Sequence, residues 1–279
     1  MQAPDPGFLA YGIRGCAGRV IRARRLKTSP SVKIPDQSLF SMTHPSPPLF
    51  AQLLAAAALL APLAGAQAQS FCASDGQPRP VQLIERFINA DCSSCWADPA
   101  TPSPGAKGIA LDWVTPGSLG DDAPLSAVAR RDSLIRLEAL NEGVPAETRT
   151  AVHTAKGIKG ATLRVAHGLP VSDYLGASIE LKPISAAARQ TLTAWLALVE
   201  TLPAGTEDSP VERNLVRNVL SRIWDGRKQL SKDEQNRFFE TRSMNIPPAA
   251  HPDRLRVIGW VEDEKGELLA AAQSRCAAP

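Results

Sequence analysis

The chain has 279 residues, with 31 lysines and arginines against 28 aspartates and glutamates and a formal charge of +3. At 44 % apolar residues it can bury a core, and so even a charge balance excludes the basic stripe that nucleic-acid binding requires. The small cationic excess sits at the amino end, which makes that end the first thing to explain.

Residues 1–41 are arginine-rich and lack apolar periodicity. They read either as an over-extended reading frame, with translation starting at Met42, or as a long basic leader built on Arg22, Arg24, Arg25 and Lys27, the Arg24-Arg25 pair resembling a twin-arginine signal. Leu49–Ala64, LFAQLLAAAALLAPLA, has the length of a signal-peptide core and is too short and proline-broken for a membrane span. Ala66 and Ala68 supply an Ala-x-Ala cleavage pattern, so residues 42–68 are expected to be removed and the mature chain to begin near Gln69. Either start sends the protein to the periplasm or outside the cell. Without residues 1–68 seven cations and two anions are lost and the charge becomes −2. No later apolar segment reaches the length of a span, so no membrane anchorage is expected.

Export makes disulfides stable, and the mature chain keeps Cys72, Cys92, Cys95 and Cys276. The termini of compact domains tend to lie close together, so Cys72 is expected to pair with Cys276 and Cys92 with Cys95. In chain order, Val81–Asn89 (VQLIERFIN) reads as a buried strand running into CSSC at Cys92 to Cys95. The proline-rich WADPATPSPG that follows cannot continue a helix. Gly108–Gly117 reads as a second strand, and Ala123–Asn141 as an amphipathic helix stopped at Asn141-Glu142-Gly143.

The second half reads differently. Thr162–Ala166, Gly176–Pro183 and Leu255–Ser274 predict strands, the last a hairpin turning through Asp263-Glu264-Lys265-Gly266. Ala188–Glu200 suits a helix by composition and a strand by the alternation of Leu192, Ala194, Leu196 and Leu198. Ser209 as cap, Pro210 at the first position and Val211, Leu215, Val219 and Ile223 at four-residue spacing predict a helix, and Ser231 with Glu234 has capping-box spacing for a short one. Read from the residues, the expected fold class is α+β: an α/β part over residues 69–158 and a β-rich part over 159–279 with a helical insertion at about 209–240.

CSSC after a strand, RNLVRNV from Arg213, and the closing LRVIGWVEDEKGELLAAAQ resemble the exported bacterial proteins called domain of unknown function 1223, over most of Val81 to Ser274. The resemblance implies that the α/β part is a shortened thioredoxin-like one and the β-rich part sandwich-like, with a strand over Leu192–Glu200. It also implies a cis-proline loop beside the dithiol, where Val152-His153-Thr154-Ala155 stands with alanine in place of proline, Pro145 and Pro170 being other candidates.

Two readings of the dithiol stay open. In one, Cys92 attacks and Cys95 resolves in thiol–disulfide exchange with exported protein thiols or disulfides. In the other, CSSC is a structural disulfide in a non-catalytic binding or scaffold module. No cofactor is expected, and no metal either: zinc needs further ligands, and His153, His167, His251 and the terminal cysteines show no ligand spacing. Asp121-Asp122 and Glu262-Asp263-Glu264 read as solvated turn acids. Trp96 reads as core packing before a cover for the disulfide. No nucleophile elbow, phosphate loop or dinucleotide fingerprint is present.

Overall fold

QLIERFIN forms strand β2 (Gln82–Asn89) and GIALDWVT forms β3 (Gly108–Thr115). In the computed structural model, which describes residues 72–182, 190–227 and 237–276, the two run parallel inside one sheet. Both are buried on both faces, which is why they read as near-continuous apolar runs. The other strands are β1 (Cys72–Ala73), β4 (Thr148–Thr154), β5 (Thr162–His167), β6 (Tyr174–Lys182), β7 (Thr191–Leu202), β8 (Arg213–Asp225), β9 (Phe238–Asn245), β10 (Leu255–Glu262), β11 (Leu268–Gln273) and β12 (Arg275–Cys276). They form a seven-stranded sheet ordered β11-β10-β7-β8-β3-β2-β4 and a five-stranded sheet ordered β12-β1-β5-β6-β9. Among these pairings only β2–β3 and β3–β8 are parallel.

Period-two alternation along β7 distributes the core. Leu192, Leu196 and Leu198 face the five-stranded sheet and pack with Leu163, Val165 and Ile179, while Trp195, Ala197 and Val199 face the other way, toward Phe87, Trp113, Trp260 and Leu137. Leu137 belongs to α2 (Asp132–Ala139), and the first helix, α1, is the single turn Ser93–Trp96. A third cluster, Ile88, Val114, Leu202 and Leu215, gathers around Trp96. No helix among the described residues is long and apolar enough to cross a membrane.

This architecture corrects the expected fold class. The described chain is mostly β, built from two large sheets, not a thioredoxin-like α/β part followed by a β-sandwich with a helical insertion. Strands on both sides of residue 158 share the seven-stranded sheet, joined where Asp112 of β3 pairs with Leu215 of β8. The expected helix over Ala123–Asn141 shrinks to a 3-10 turn at Ser126–Val128 and the eight residues of α2. There the amides of Leu125 and Arg130 donate to the carbonyls of Ala90, just past β2, and Val114 of β3 rather than up a helix. The expected insertion is the 13-residue strand β8 and the strand β9. A spacing of four serves a strand as well as a helix, since it is twice the strand period, and pairing with the 12 residues of β7 decides between them. The strands expected at Val81–Asn89, Gly108–Gly117, Thr162–Ala166 and in the closing hairpin are present, and Leu192–Glu200 is a strand. The leader and the Ser231–Glu234 cap lie outside the described residues.

Candidate functional site

The dithiol is placed by the end of β2. Cys92 N–H donates to the Asn89 carbonyl at 3.0 Å, the Asn89 side chain donates to the Pro145 carbonyl at 2.9 Å, and its oxygen accepts from the Asp91 amide. Asp91 in turn accepts from the Ser118 hydroxyl and amide, both at 2.7 Å, and from the Leu119 amide. These bonds, the Ser118 hydroxyl's foremost, hold the Asp91 carboxyl below the usual range. A Cβ at Gly117 would lie 2.0 Å from an Asp91 carboxylate oxygen, so a side chain there would push Asp91 off these bonds.

Cys92 and Cys95 are joined as a disulfide across α1, with Cα atoms 5.3 Å apart. Cys92 Sγ accepts from the Cys95 amide at 3.3 Å and sits 3.5 Å from the Ser94 hydroxyl. Both cysteines are half-buried; Ser93 and Ser94 are exposed. Cys95 packs against the Trp96 cluster, so of the two sulfurs it is the one turned toward the core.

Beneath α1 lies a buried charge cluster that the sequence reading missed. Asp112 of β3 meets Arg86 of β2 at 2.5 Å and Arg213 of β8 at 2.8 Å, all three almost wholly buried. Arg213 stacks on the Trp96 ring at 4.5 Å and donates to the Trp96 carbonyl (2.7 Å), the Thr101 hydroxyl (3.2 Å) and the Ser209 hydroxyl (2.8 Å). Arg86 donates to the Pro102 carbonyl at 3.0 Å. Burial lowers the Arg213 pKa while Asp112 works to raise it. Two guanidiniums share this one buried carboxylate, Asp98 acts on Arg213 as a further anion, and a cavity of about 40 Å³ is lined by Cys95, Asp98, Arg86 and Arg213.

A cleft of about 180 Å³ opens on the other side of Trp96, walled by Leu125, Val128, Leu202 and Leu215 and including Glu200 and Arg217. Arg217 occupies a bulge: Leu198 pairs with Asn218 and Val199 with Val216, so residue 217 has no partner on β7. The bulge changes the parity of β8, letting Leu215 and Arg217 face Glu200 while Val216 packs on the opposite side. Arg217 meets Glu200 at 2.5 Å, and the His251 amide donates to the other Glu200 oxygen at 3.0 Å. Glu207 and Ala249 on the rim hold positive φ, 51° and 65°. That conformation is strained for residues other than glycine.

The remaining candidates are dispersed. Val152-His153-Thr154-Ala155 is no active-site loop: its first three residues lie within edge strand β4, paired with β2, because their backbone groups are committed to the sheet. The segment that does reach the dithiol's end of β2 is the one carrying Pro145. Asp121 and Asp122 are exposed. Glu262, expected in solvent, is buried and shares Arg136 with Glu85 on the face under α2, where Trp195 and Trp260 donate to it. His153 stands 3.1 Å from Glu85, and His251 is exposed. Cys72 and Cys276 form the expected second disulfide.

No protein-family model matches the chain, and no curated protein does. Among solved structures it is similar to HBP35 of Porphyromonas gingivalis, at 11 % identity over 70 % of this chain and 74 % of that one, with a TM-score of 0.42. That likeness is too distant to carry fold or function.

Proposed function

We propose that the protein is an exported thiol–disulfide exchange protein in which Cys92 is the reactive sulfur and Cys95 the resolving one, and that it belongs with the exported bacterial proteins whose sequence it resembles. The observation that carries this reading is the setting of the Cys92–Cys95 disulfide: half-exposed, flanked by Trp96 of the neighbouring cleft and sharing a cavity with the guanidiniums of Arg86 and Arg213. A partner thiolate attacks Cys92 Sγ, the Cys92–Cys95 bond breaks, and the electron pair leaves on Cys95 Sγ. A second partner thiolate then attacks its own sulfur in the mixed disulfide, so the partner dithiol ends oxidised and Cys92 and Cys95 reduced; the reverse sequence reduces a partner disulfide. The guanidiniums of Arg86 and Arg213, which share a cavity with Cys95, favour the leaving thiolate, and the Cys95 amide does the same at Cys92. Two disulfides in one chain also fit an oxidising compartment, the periplasm or the cell exterior.

The test is thiol labelling across a glutathione redox series, with Cys92→Ser and Cys72→Ser variants as controls. Labelling of Cys92 at potentials where the Cys72–Cys276 bridge stays closed supports exchange. Opening of both bridges only together with unfolding makes CSSC a staple, and the Trp96 cleft then stands alone as the site of a binding module.

A further inference from the structure

Strand order brings together three residues that the sequence keeps far apart. Cys72 of β1 pairs with Cys276 of β12 on one side and with His167 of β5 on the other, so the three form one row across three antiparallel strands. Directly opposed residues share a face of the sheet. Both sulfurs and a ring nitrogen of His167 lie within 4.8 Å of one another.

The histidine is set up as a ligand. Its Nδ1 lies 2.9 Å from the Gly168 carbonyl, which can only accept, so Nδ1 carries the proton and Nε2 the lone pair. A backbone carbonyl on the far nitrogen is the usual way a metal-binding imidazole is fixed. His167 is 4 % exposed, and its Nε2 has no hydrogen-bond partner. Cys72 is 1 % exposed, whereas Cys276 is only partly covered and leaves a way in.

We propose that, once this disulfide is reduced, Cys72, Cys276 and His167 bind Zn²⁺ through two thiolates and Nε2, with water at the fourth position. Two sulfurs and an imidazole select a thiophilic cation over calcium or magnesium. An external dithiol supplies the two electrons and two protons that open the S–S bond and is itself oxidised to a disulfide. The two cysteine thiols then lose their protons as the metal binds. The backbone pairing of β1 with β12 and β5 holds the donors in one row when the bond is gone. The site is separate from Cys92 and Cys95 and stands whether or not they exchange.

The experiment uses the full chain with Cys16→Ser, Cys92→Ser and Cys95→Ser, reduced with a phosphine and titrated anaerobically with Co²⁺ as a spectroscopic probe, then with Zn²⁺. One Co²⁺ per chain, tetrahedral ligand-field bands with thiolate charge transfer, displacement by Zn²⁺ and no binding to the oxidised chain are the expected results. His167→Ala is expected to weaken binding by about tenfold or more, and His167→Cys to restore it. Absence of the bands, equal affinity in His167→Ala, or equal binding by the oxidised chain overturns the proposal. Circular dichroism of the oxidised variants reports whether they fold. If reduction alone unfolds the chain, Zn²⁺ must restore the β-sheet signal, and failure to do so overturns it as well.

Discussion

Glu85 has no exposed surface, and the charge it carries there is sustained by its neighbours. Burial alone raises its pKa; the guanidinium of Arg136 and the His153 ring more than offset this and hold it at about 2, against an ordinary 4.5. A depressed carboxyl stabilises the fold fully above about pH 4.5 and loses that contribution as the pH falls toward 2, on the order of 3 kcal/mol in all. Glu85→Gln should therefore be less stable at pH 7 and should flatten the fall in stability between pH 4.5 and 2. Urea midpoints at pH 7, 4.5 and 3 check this, and parallel curves for both proteins would contradict it. The Asp112 cluster gives a second expectation: Arg213→Ala removes one partner of a buried pair and should cost about 3–5 kcal/mol. Arg213→Lys cannot reproduce the contacts to Asp112, Trp96, Thr101 and Ser209 together, so it should leave α1 loosely held and make Cys92 labelling faster in the otherwise folded protein. Of all this, the cysteines and the core placement of Trp96 were legible in the sequence. CSSC announces itself by spacing, whereas Arg86, Asp112 and Arg213 are scattered over three strands, and Glu262 looks like a solvated turn acid until Arg136 and two indoles are placed around it.

At the scale of elements, legibility followed how many periods a segment could satisfy. The runs at β2, β3 and the β10–β11 hairpin alternate or stay apolar too briefly for a helix, and the structure agrees with those readings. RNLVRNVLSRIWD satisfies both periods, and its bulge at Arg217 hides the alternation by shifting it one place midway. What no periodicity shows is how closely the sheets approach. Gly259 of β10 pairs with Leu196 of β7, and a Cβ at that position would lie 2.5 Å from Val165 and 2.9 Å from Ile179 of the opposing sheet. The glycine is thus the gap that lets the two sheets close over it. Gly259→Ala should destabilise by about 1–3 kcal/mol through overpacking, and Val165→Ala should recover part of that loss by making room. Additive losses in the double variant, read by thermal denaturation, would place the strain elsewhere.

Across the whole molecule the two disulfides close loops of very different size, and this separates their roles. Cys72 and Cys276 are 204 positions apart and tie the first described strand to the last; Cys92 and Cys95 are three apart. Restricting the unfolded chain stabilises by about 5 kcal/mol for the long loop and about 2 kcal/mol for the short one. Evolution toward stability alone has little to gain from the second bridge, whose turn is already held by the Trp96 bond to the Glu207 carbonyl and by Arg213. Removing each bridge as a double serine variant, Cys72→Ser/Cys276→Ser and Cys92→Ser/Cys95→Ser, should accordingly lower stability by markedly different amounts, the first by some 3 kcal/mol more. Denaturant unfolding of the two variants beside the parent decides the matter. The expected order leaves Cys92–Cys95 free for chemistry, since a bond that contributes little to folding can open and close without unfolding the chain. The reverse order would make the short bridge the one that holds the β2–α1 corner together, and exchange there would then be coupled to unfolding.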